Sequence, residues 1–282
     1  MAFVTMLLED TPLWLLGLFL FAIFWLAAAF GRWLRSKTTP TGDKSDPALI
    51  ASASLGLLAL LLGFTVSMAV SRYDGRRTAT LNEGNAIGTF VYRTDLMPPQ
   101  LREKTLEALE TYVEARLAVG RMGESSDAVR QAHAETGKVA QKMWSHMVAV
   151  GPEVPDTAVR ILLVESANQM FDAAMVRDAA LANRLPPTLV VLLILFPVAS
   201  LVLIGYVSGR LVGAHFMAST ELILLLTLVL LLIGDLNRPR SGTIATPQTA
   251  LLEVQAQIIA ARQSSPAGLS AGTGPAQKPA NP

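Results

Sequence analysis

The sequence contains no cysteine. This absence excludes structural disulfides, thiolate zinc sites, iron–sulfur clusters and cysteine nucleophiles. Histidine is also scarce, and His133, His146 and His215 lie far apart along the chain. Their spacing matches no metal-binding motif. The sequence therefore predicts neither a metal site nor a bound cofactor.

Charge is the second shortage. Only 16% of the residues are charged, whereas soluble globular domains carry about 25%. The formal net charge is +1, and the basic residues form no clustered face of the kind that nucleic acid requires. The composition excludes nucleic acid as the expected partner. It is typical of a chain that lipid solvates in part.

Four long apolar segments are present, at about 13–30, 48–70, 187–207 and 216–233. A helix of about 20 apolar residues crosses the roughly 30 Å of bilayer hydrocarbon. Glu9 and Asp10 precede the first segment, and Arg32 follows it. We expect a retained span there, because a signal peptide has a basic region before its apolar core. The lipid bilayer is thus the first expected partner.

Small residues recur at three- or four-residue steps in the second segment, at Ala53, Gly56, Ala59, Gly63 and Ser67. Such residues let helix backbones approach each other in lipid. The helix packs either against another span of its own chain or against neighbouring subunits. The second alternative predicts self-association.

The residues between the second and third spans predict an all-α extramembrane bundle. No turn signal follows Ser71 until the prolines at 98 and 99, so the second span continues as one helix to about Leu96. Three more helices are predicted at about 100–119, 125–150 and 155–184. An amphipathic segment at 245–263 lies on the membrane or docks on the bundle.

We therefore expect an all-α membrane protein with four transmembrane helices, paired 2+2 around the bundle. Its predicted parts are a first span with a basic loop, a second span continuing into the extramembrane domain, the helical domain, the third and fourth spans, an amphipathic segment and a disordered tail. These parts cover residues 1–47, 48–96, 97–186, 187–237, 238–263 and 264–282.

No catalytic constellation is apparent, so we predict that the chain is not an enzyme. Four glutamates at 103, 107, 110 and 114 recur along one predicted helix, and we interpret them as a solvated face. Only Glu221 and His215, near the fourth span, remain as candidates for a polar intramembrane site.

The most informative segment extends from Leu60 to Gly88 and leaves the membrane as it proceeds. Arg72 and Arg76 are one helical turn apart and share a face. Further polar side chains surround the same helix, and they are Asp74, Arg77, Glu83 and Asn85. Two interpretations stay open: an ion-pair network that clamps the spans to the domain, or a charged vestibule at the mouth of a pore.

This segment, together with residues 182–187 and 235–239, resembles the bestrophin-like family of bacterial membrane proteins. More distantly, the chain is similar to the bestrophins, in the Gly63-Phe64 pair followed by Arg72-Tyr73-Asp74. It lacks the paired tryptophans that follow Tyr-Asp there. Gly75, Arg76 and Arg77 occupy those positions.

The resemblance implies a pentameric ion channel with inorganic ions as partners. The second span would line the pore, with Leu60, Phe64 and Met68 as an apolar constriction. Arg72, Arg76 and Arg77 would favour anions, unless Asp74 and Glu83 neutralise them. The resemblance also implies a bacterial inner membrane and a cytoplasmic domain at 72–186, although the charges beside the spans do not decide the orientation. A membrane sensor or scaffold is the alternative.

Overall fold

The structure is a computed structural model that describes residues 11–38, 45–121, 126–208, 214–240 and 242–264. Within these ranges the secondary structure is helical. The helices are α1 (Leu13–Lys37), α2 (Ser45–Thr94), α3 (Pro99–Arg121), α4 (Ser126–Val150), a 3-10 turn (Gly151–Glu153), α5 (Thr157–Ala182), α6 (Pro187–Ser208), α7 (Ala214–Leu236) and α8 (Thr249–Gln263).

The chain divides into two compact units. Met1–Asp74 and Asn183–Ala245 form the first, which we call the membrane unit. Gly75–Ala182 and Thr246–Pro282 form the second, the helical unit. Four helical stretches are long and apolar enough to cross a membrane, and these are Leu13–Lys37, Pro47–Thr94, Thr157–Ser208 and Phe216–Leu236. The predicted fold class is thereby confirmed.

The membrane unit is built around the packing of α1 on α6, with α7 also against α1. Its buried apolar side chains include Leu16, Leu20, Phe24, Leu193 and Ile223. In lipid the hydrophobic effect does not draw helices together, so close packing must supply the attraction. The Ser54 and Ser200 hydroxyls also hydrogen-bond at 2.8 Å between α2 and α6.

Two glycines set the closest approach of α1 and α6. A Cβ atom at Gly31 would overlap the carbonyl oxygen of Val202, and one at Gly205 would overlap that of Ala28. The two backbones therefore touch where each helix lacks a side chain. Just beyond, Arg35 Nη1 donates to the carbonyl of Tyr206 at 2.8 Å, satisfying an acceptor at the end of α6.

The helical unit has a separate core, to which α2, α3, α4, α5 and α8 all contribute. Its buried members include Phe90, Leu106, Val113, Met147 and Leu163. The Tyr112 and Phe171 rings meet edge to face, with centroids 5.6 Å apart. The apolar stripes predicted from the sequence thus pack into a bundle, as helical periodicity requires.

The C-terminal helix α8 docks on the bundle, which decides between the two placements left open by its sequence. Leu251 and Ile258 are fully buried. The α2 backbone passes close to α8 at Gly84, where a Cβ would lie 2.8 Å from the Ala250 Cβ. Arg262 on α8 pairs with Glu103 at 3.0 Å and with Glu110.

This docking corrects the interpretation of the α3 glutamates as one solvated face. Glu107 and Glu114 are exposed, but Glu103 and Glu110 are partly covered by the side of α8 that carries Arg262. Hydrogen bonds to both carboxylates raise the pKa of Arg262. The predicted tail lies outside the described residues from position 265 onward.

Candidate functional site

One face of α2 in the membrane unit is left uncovered by the described part of the chain. Leu60, Phe64 and Met68 lie on it and are 56%, 67% and 39% exposed. No atom comes within 4 Å of a Cβ built at Gly56 or Gly63. The opposite face of α2 is buried, through Leu58, Leu62, Thr65 and Ala69. The structure thus places all three predicted constriction residues together on the open side.

Arg72 binds a segment that has no regular secondary structure. Its Nη1 donates to the Asn183 Oδ1 at 3.0 Å and to the Arg184 carbonyl oxygen, and its Nη2 lies 3.7 Å from the Met68 Sδ. A backbone carbonyl outside a helix needs a donor when it is withdrawn from water. Arg72 supplies one and fixes the path of the chain between α5 and α6.

The end of α7 reaches the same segment from another direction. Asn237 Oδ1 accepts a 2.8 Å hydrogen bond from the Leu185 backbone N–H, and Arg238 Nη1 donates to the Thr11 carbonyl at 2.8 Å. Asp235 closes the following turn by accepting from the Thr243 N–H at 2.6 Å. Residues of all three segments that carry the family resemblance therefore meet here, in what we call the arginine junction: Arg72, Asn183, Arg184, Leu185, Asp235, Asn237 and Arg238.

The remaining predicted vestibule residues differ in how deeply they are buried. Arg76 and Glu83 are buried in the helical unit, at 1% and 0% exposure. Asp74, Arg77 and Asn85 are exposed. The side chain of Glu83 pairs with Arg116 and Arg177, which lie on other helices. The role of these residues at a vestibule stays a prediction.

Glu83 is the centre of a buried charge cluster that sequence reasoning did not assemble. Its Oε1 accepts from the Arg116 Nε at 2.5 Å, and its Oε2 accepts from the Arg177 Nη1 at 2.9 Å. Arg116 also makes a two-pronged pair with Asp178, with both distances 3.0 Å. His133 Nδ1 lies 3.7 Å from the Asp178 Oδ2. Helices α2, α3 and α5 thus share one ionic network, and α4 places His133 beside it.

The electrostatics of the cluster shift the pKa values of Arg116 and of the nearby Tyr112. Burial alone lowers the pKa of Arg116, but the charge of Glu83 and the hydrogen bonds of Asp178 and Glu83 outweigh it, and the pKa is raised. Burial is also the main cause that raises the pKa of the nearby Tyr112 hydroxyl. The cluster therefore keeps Arg116 charged and Tyr112 neutral. Removing one partner of such a buried pair leaves an uncompensated charge, which is costly.

The sequence contains an indication of this cluster, in two arginines that interrupt apolar stripes. Arg116 stands three residues after Val113 in the apolar stripe of α3, and Arg177 stands three after Ala174 in that of α5. A charged residue at a core-facing position needs a buried partner. What the sequence did not reveal is that both arginines converge on Glu83.

Among the side chains that the structure describes, no three His, Asp or Glu residues come close enough to hold a metal ion. Glu221 is exposed on α7, and the side chain of His215 lies outside the described ones. What the geometry does provide is an open helix face, an arginine junction and a buried ionic network.

A scan against family models matches a bestrophin-like domain over residues 14–251. The chain belongs to the bestrophin-like family. No curated protein sequence matches it, but several solved structures do, which shows that this bestrophin-like chain shares their fold.

One of them is a crystal structure of a bacterial bestrophin homologue from Klebsiella pneumoniae. The match has a TM-score of 0.62 and 13% sequence identity, and it covers 90% of this chain and 100% of that one. A single-residue variant of a bacterial bestrophin homologue from the same organism gives a TM-score of 0.64 at 12% identity, covering 89% and 99% of the two chains. The likeness extends over the whole fold at low identity.

Proposed function

We propose that this protein is a homo-oligomeric ion channel of the bacterial inner membrane, with a pore lined by the exposed face of α2. In this arrangement several copies place Leu60, Phe64 and Met68 around a common axis. A ring of large apolar side chains can gate ion flow by excluding water. The helical unit, following the family resemblance, lies on the cytoplasmic side, and the expected assembly is a pentamer.

The open face of α2 is the observation that carries the proposal. Gly56, Gly63 and Ser67 on this face are small, and Phe64 projects from it with 67% exposure. Lipid contact favours large aliphatic side chains, whereas small and hydroxyl-bearing residues favour contact between helices. The face therefore fits a partner helix or a pore better than it fits lipid.

Conductance in planar bilayers tests the constriction. We expect purified protein to conduct ions. Phe64→Ala should raise the unitary conductance, because it removes one bulky side chain per subunit from the proposed constriction of the pore. Phe19→Ala is the matched control, since Phe19 on α1 is similarly exposed, at 55%, and lies outside the proposed pore. A verified oligomer without any current, or equal effects of the two variants, contradicts the proposal.

We further propose that the pore favours anions. Arg77 is the exposed arginine of the predicted vestibule, and Asp74 is an exposed carboxylate one turn before it. Because a fixed charge beside a pore attracts its counter-ion, Arg77→Gln should shift the reversal potential in a potassium chloride gradient toward cation selectivity. Asp74→Asn should shift it the other way. Identical reversal potentials for both variants and the unmodified protein would remove these residues from the selectivity mechanism.

A non-conducting sensor or scaffold is the second candidate, and a groove on the helical unit favours it. Leu81, Asn85, Tyr92 and Gln257 border this groove of about 380 Å³ between α2 and α8. A groove of this size is within the range of small-molecule sites. Mass measurement in detergent separates the candidates, because a pentamer supports the channel and a monomer or dimer supports the sensor.

A further inference from the structure

The membrane unit contains a cavity of about 100 Å³ whose wall is mostly aliphatic. Helices α1, α6 and α7 each supply part of this wall, so we call the space the three-helix cavity. Four of the leucines that line it are more than nine-tenths buried, and these are Leu16, Leu20, Leu193 and Leu230. Dispersion contacts with their methyl groups are what this wall offers to an occupant.

Two polar side chains at one end of the cavity already make hydrogen bonds. Asn237 accepts the Leu185 backbone N–H through its Oδ1 at 2.8 Å, and Arg238 donates to the Thr11 carbonyl oxygen at 2.8 Å. Among the side chains that the structure describes, the buried nitrogen and oxygen atoms without a hydrogen-bond partner belong to residues outside this wall. A buried water molecule needs two to four polar partners. The cavity therefore suits an apolar molecule better than it suits water.

The volume of the cavity limits its occupant to a few atoms. An engineered apolar cavity of about 150 Å³ stays dry and binds benzene or xenon. The three-helix cavity, at about 100 Å³, has the size for one xenon atom or a short haloalkane. We propose that it is a binding site for small, uncharged, apolar molecules of this kind. The site does not depend on whether the protein conducts ions.

Close packing, rather than transfer out of water, is the source of the binding energy. In lipid or detergent a small apolar molecule is already surrounded by hydrocarbon, so the hydrophobic effect contributes little. Inside the cavity the molecule gains contacts with fixed leucine side chains, and the wall gains partner atoms that an empty space lacks. An occupied cavity therefore stabilises the membrane unit.

Diffraction from crystals of the full-length protein under xenon pressure tests the site. Xenon scatters X-rays anomalously, so its position is read directly from an anomalous difference map. We expect one xenon atom in contact with Leu16, Leu193 and Leu230. In detergent solution, xenon should also raise the melting temperature relative to helium at the same pressure, because a ligand that binds only the folded state stabilises it. Xenon peaks confined to other parts of the protein would overturn the proposal.

A substitution that fills the cavity should abolish xenon binding. Gly234 lines the cavity, and a Cβ built there meets only the Leu16 Cδ2, at 3.9 Å. The new side chain of Gly234→Leu should therefore occupy the space. Gly137→Leu on α4 is the matched control, because a Cβ built at Gly137 meets no atom within 4 Å and the two changes raise helix propensity equally. Equal xenon occupancy of the cavity in the two variants contradicts the proposal.

A substitution that enlarges the cavity gives an independent test, which stands even where Gly234→Leu does not fold. Leu193→Ala removes three carbon atoms from the α6 part of the wall. Larger apolar cavities accept larger apolar ligands, so this variant should bind benzene more tightly than the unmodified protein does. Benzene density inside the cavity of crystals soaked in benzene is the expected result. Equal benzene occupancy in the variant and the unmodified protein would refute the assignment.

Discussion

The substitution Glu83→Gln should destabilise the helical unit far more than an ordinary charge neutralisation. The Glu83 side chain is 0% exposed, and its two oxygens bind Arg116 at 2.5 Å and Arg177 at 2.9 Å. Gln retains the shape but not the charge, so both guanidinium groups lose their shared anion inside a core. Arg116 keeps Asp178 as a partner. Arg177, by contrast, loses the carboxylate with which the structure pairs it.

The size of the expected loss of stability follows from the burial of Glu83. Removing one partner of a buried ion pair costs about 3–5 kcal/mol, a large part of the roughly 5–15 kcal/mol by which proteins are stable. At about 2–4 °C per kcal/mol for chains of this size, the melting temperature should fall by at least about 6 °C. The matched control is Glu135→Gln. Glu135 pairs with Lys138 on the surface, and the two side chains are 62% and 66% exposed. Because such a pair contributes roughly 0.5 kcal/mol or less, we expect the melting temperature to fall by about 2 °C or less.

The assay is thermal unfolding of the full-length protein in detergent, followed by circular dichroism and tryptophan fluorescence. A double variant sharpens it, because adding Arg177→Gln to Glu83→Gln removes the stranded cation and should recover part of the lost stability. If Glu83→Gln melts within 1 °C of Glu135→Gln, the cluster does not stabilise the bundle and the reasoning from burial fails. If the double variant is less stable than the single one, Arg177 has another role.

Two further predictions concern packing and pH. Gly205→Ala should disrupt the crossing of α1 and α6, at a cost of about 1–3 kcal/mol, because the new methyl overlaps the Ala28 carbonyl. Gly137→Ala on α4, where a new Cβ meets no atom within 4 Å, is the control, and equal melting of the two variants would contradict the close approach. Burial, and secondarily the charge of Lys104, lower the pKa of His146, so the folded state takes up its proton less readily than the unfolded chain. The contribution of His146 to stability is then fully present above the ordinary histidine pKa of about 6.5 and decreases as pH falls through that value. His146→Gln should therefore weaken the pH dependence of the unfolding free energy measured from pH 7.5 to 5. An unchanged pH dependence would refute this role of His146.

Much of the fold follows from local sequence. The predicted continuation of the second span to about Leu96 agrees with an α2 that ends at Thr94, because helix breakers appear only at the prolines that follow. Asp156 likewise marks the start of α5, since its carboxylate accepts the Ala158 backbone N–H at 2.7 Å. Signals of this kind act over a few residues and need no tertiary information.

The candidate sites depend on separations that a local pattern does not encode. The sequence singles out Arg72, but its partners Asn183 and Arg184 lie more than a hundred residues away. The sequence predicts Glu83 beside the arginines of its own helix, but it does not indicate the pairs that Glu83 makes with Arg116 on α3 and Arg177 on α5. A helix presents several polar faces, and only packing decides which of them meets a partner.

Consecutive residues alone specify that this chain is helical and lies in a membrane, because apolar length and helical periodicity are local properties of a sequence. Its family could be inferred from three short segments for the same reason. Folding of the whole chain is what buries Glu83 between two arginines, leaves one face of α2 open and places Arg184 and Arg238 beside an apolar cavity. These features arise where helices distant in sequence come together, so their physical cause is packing.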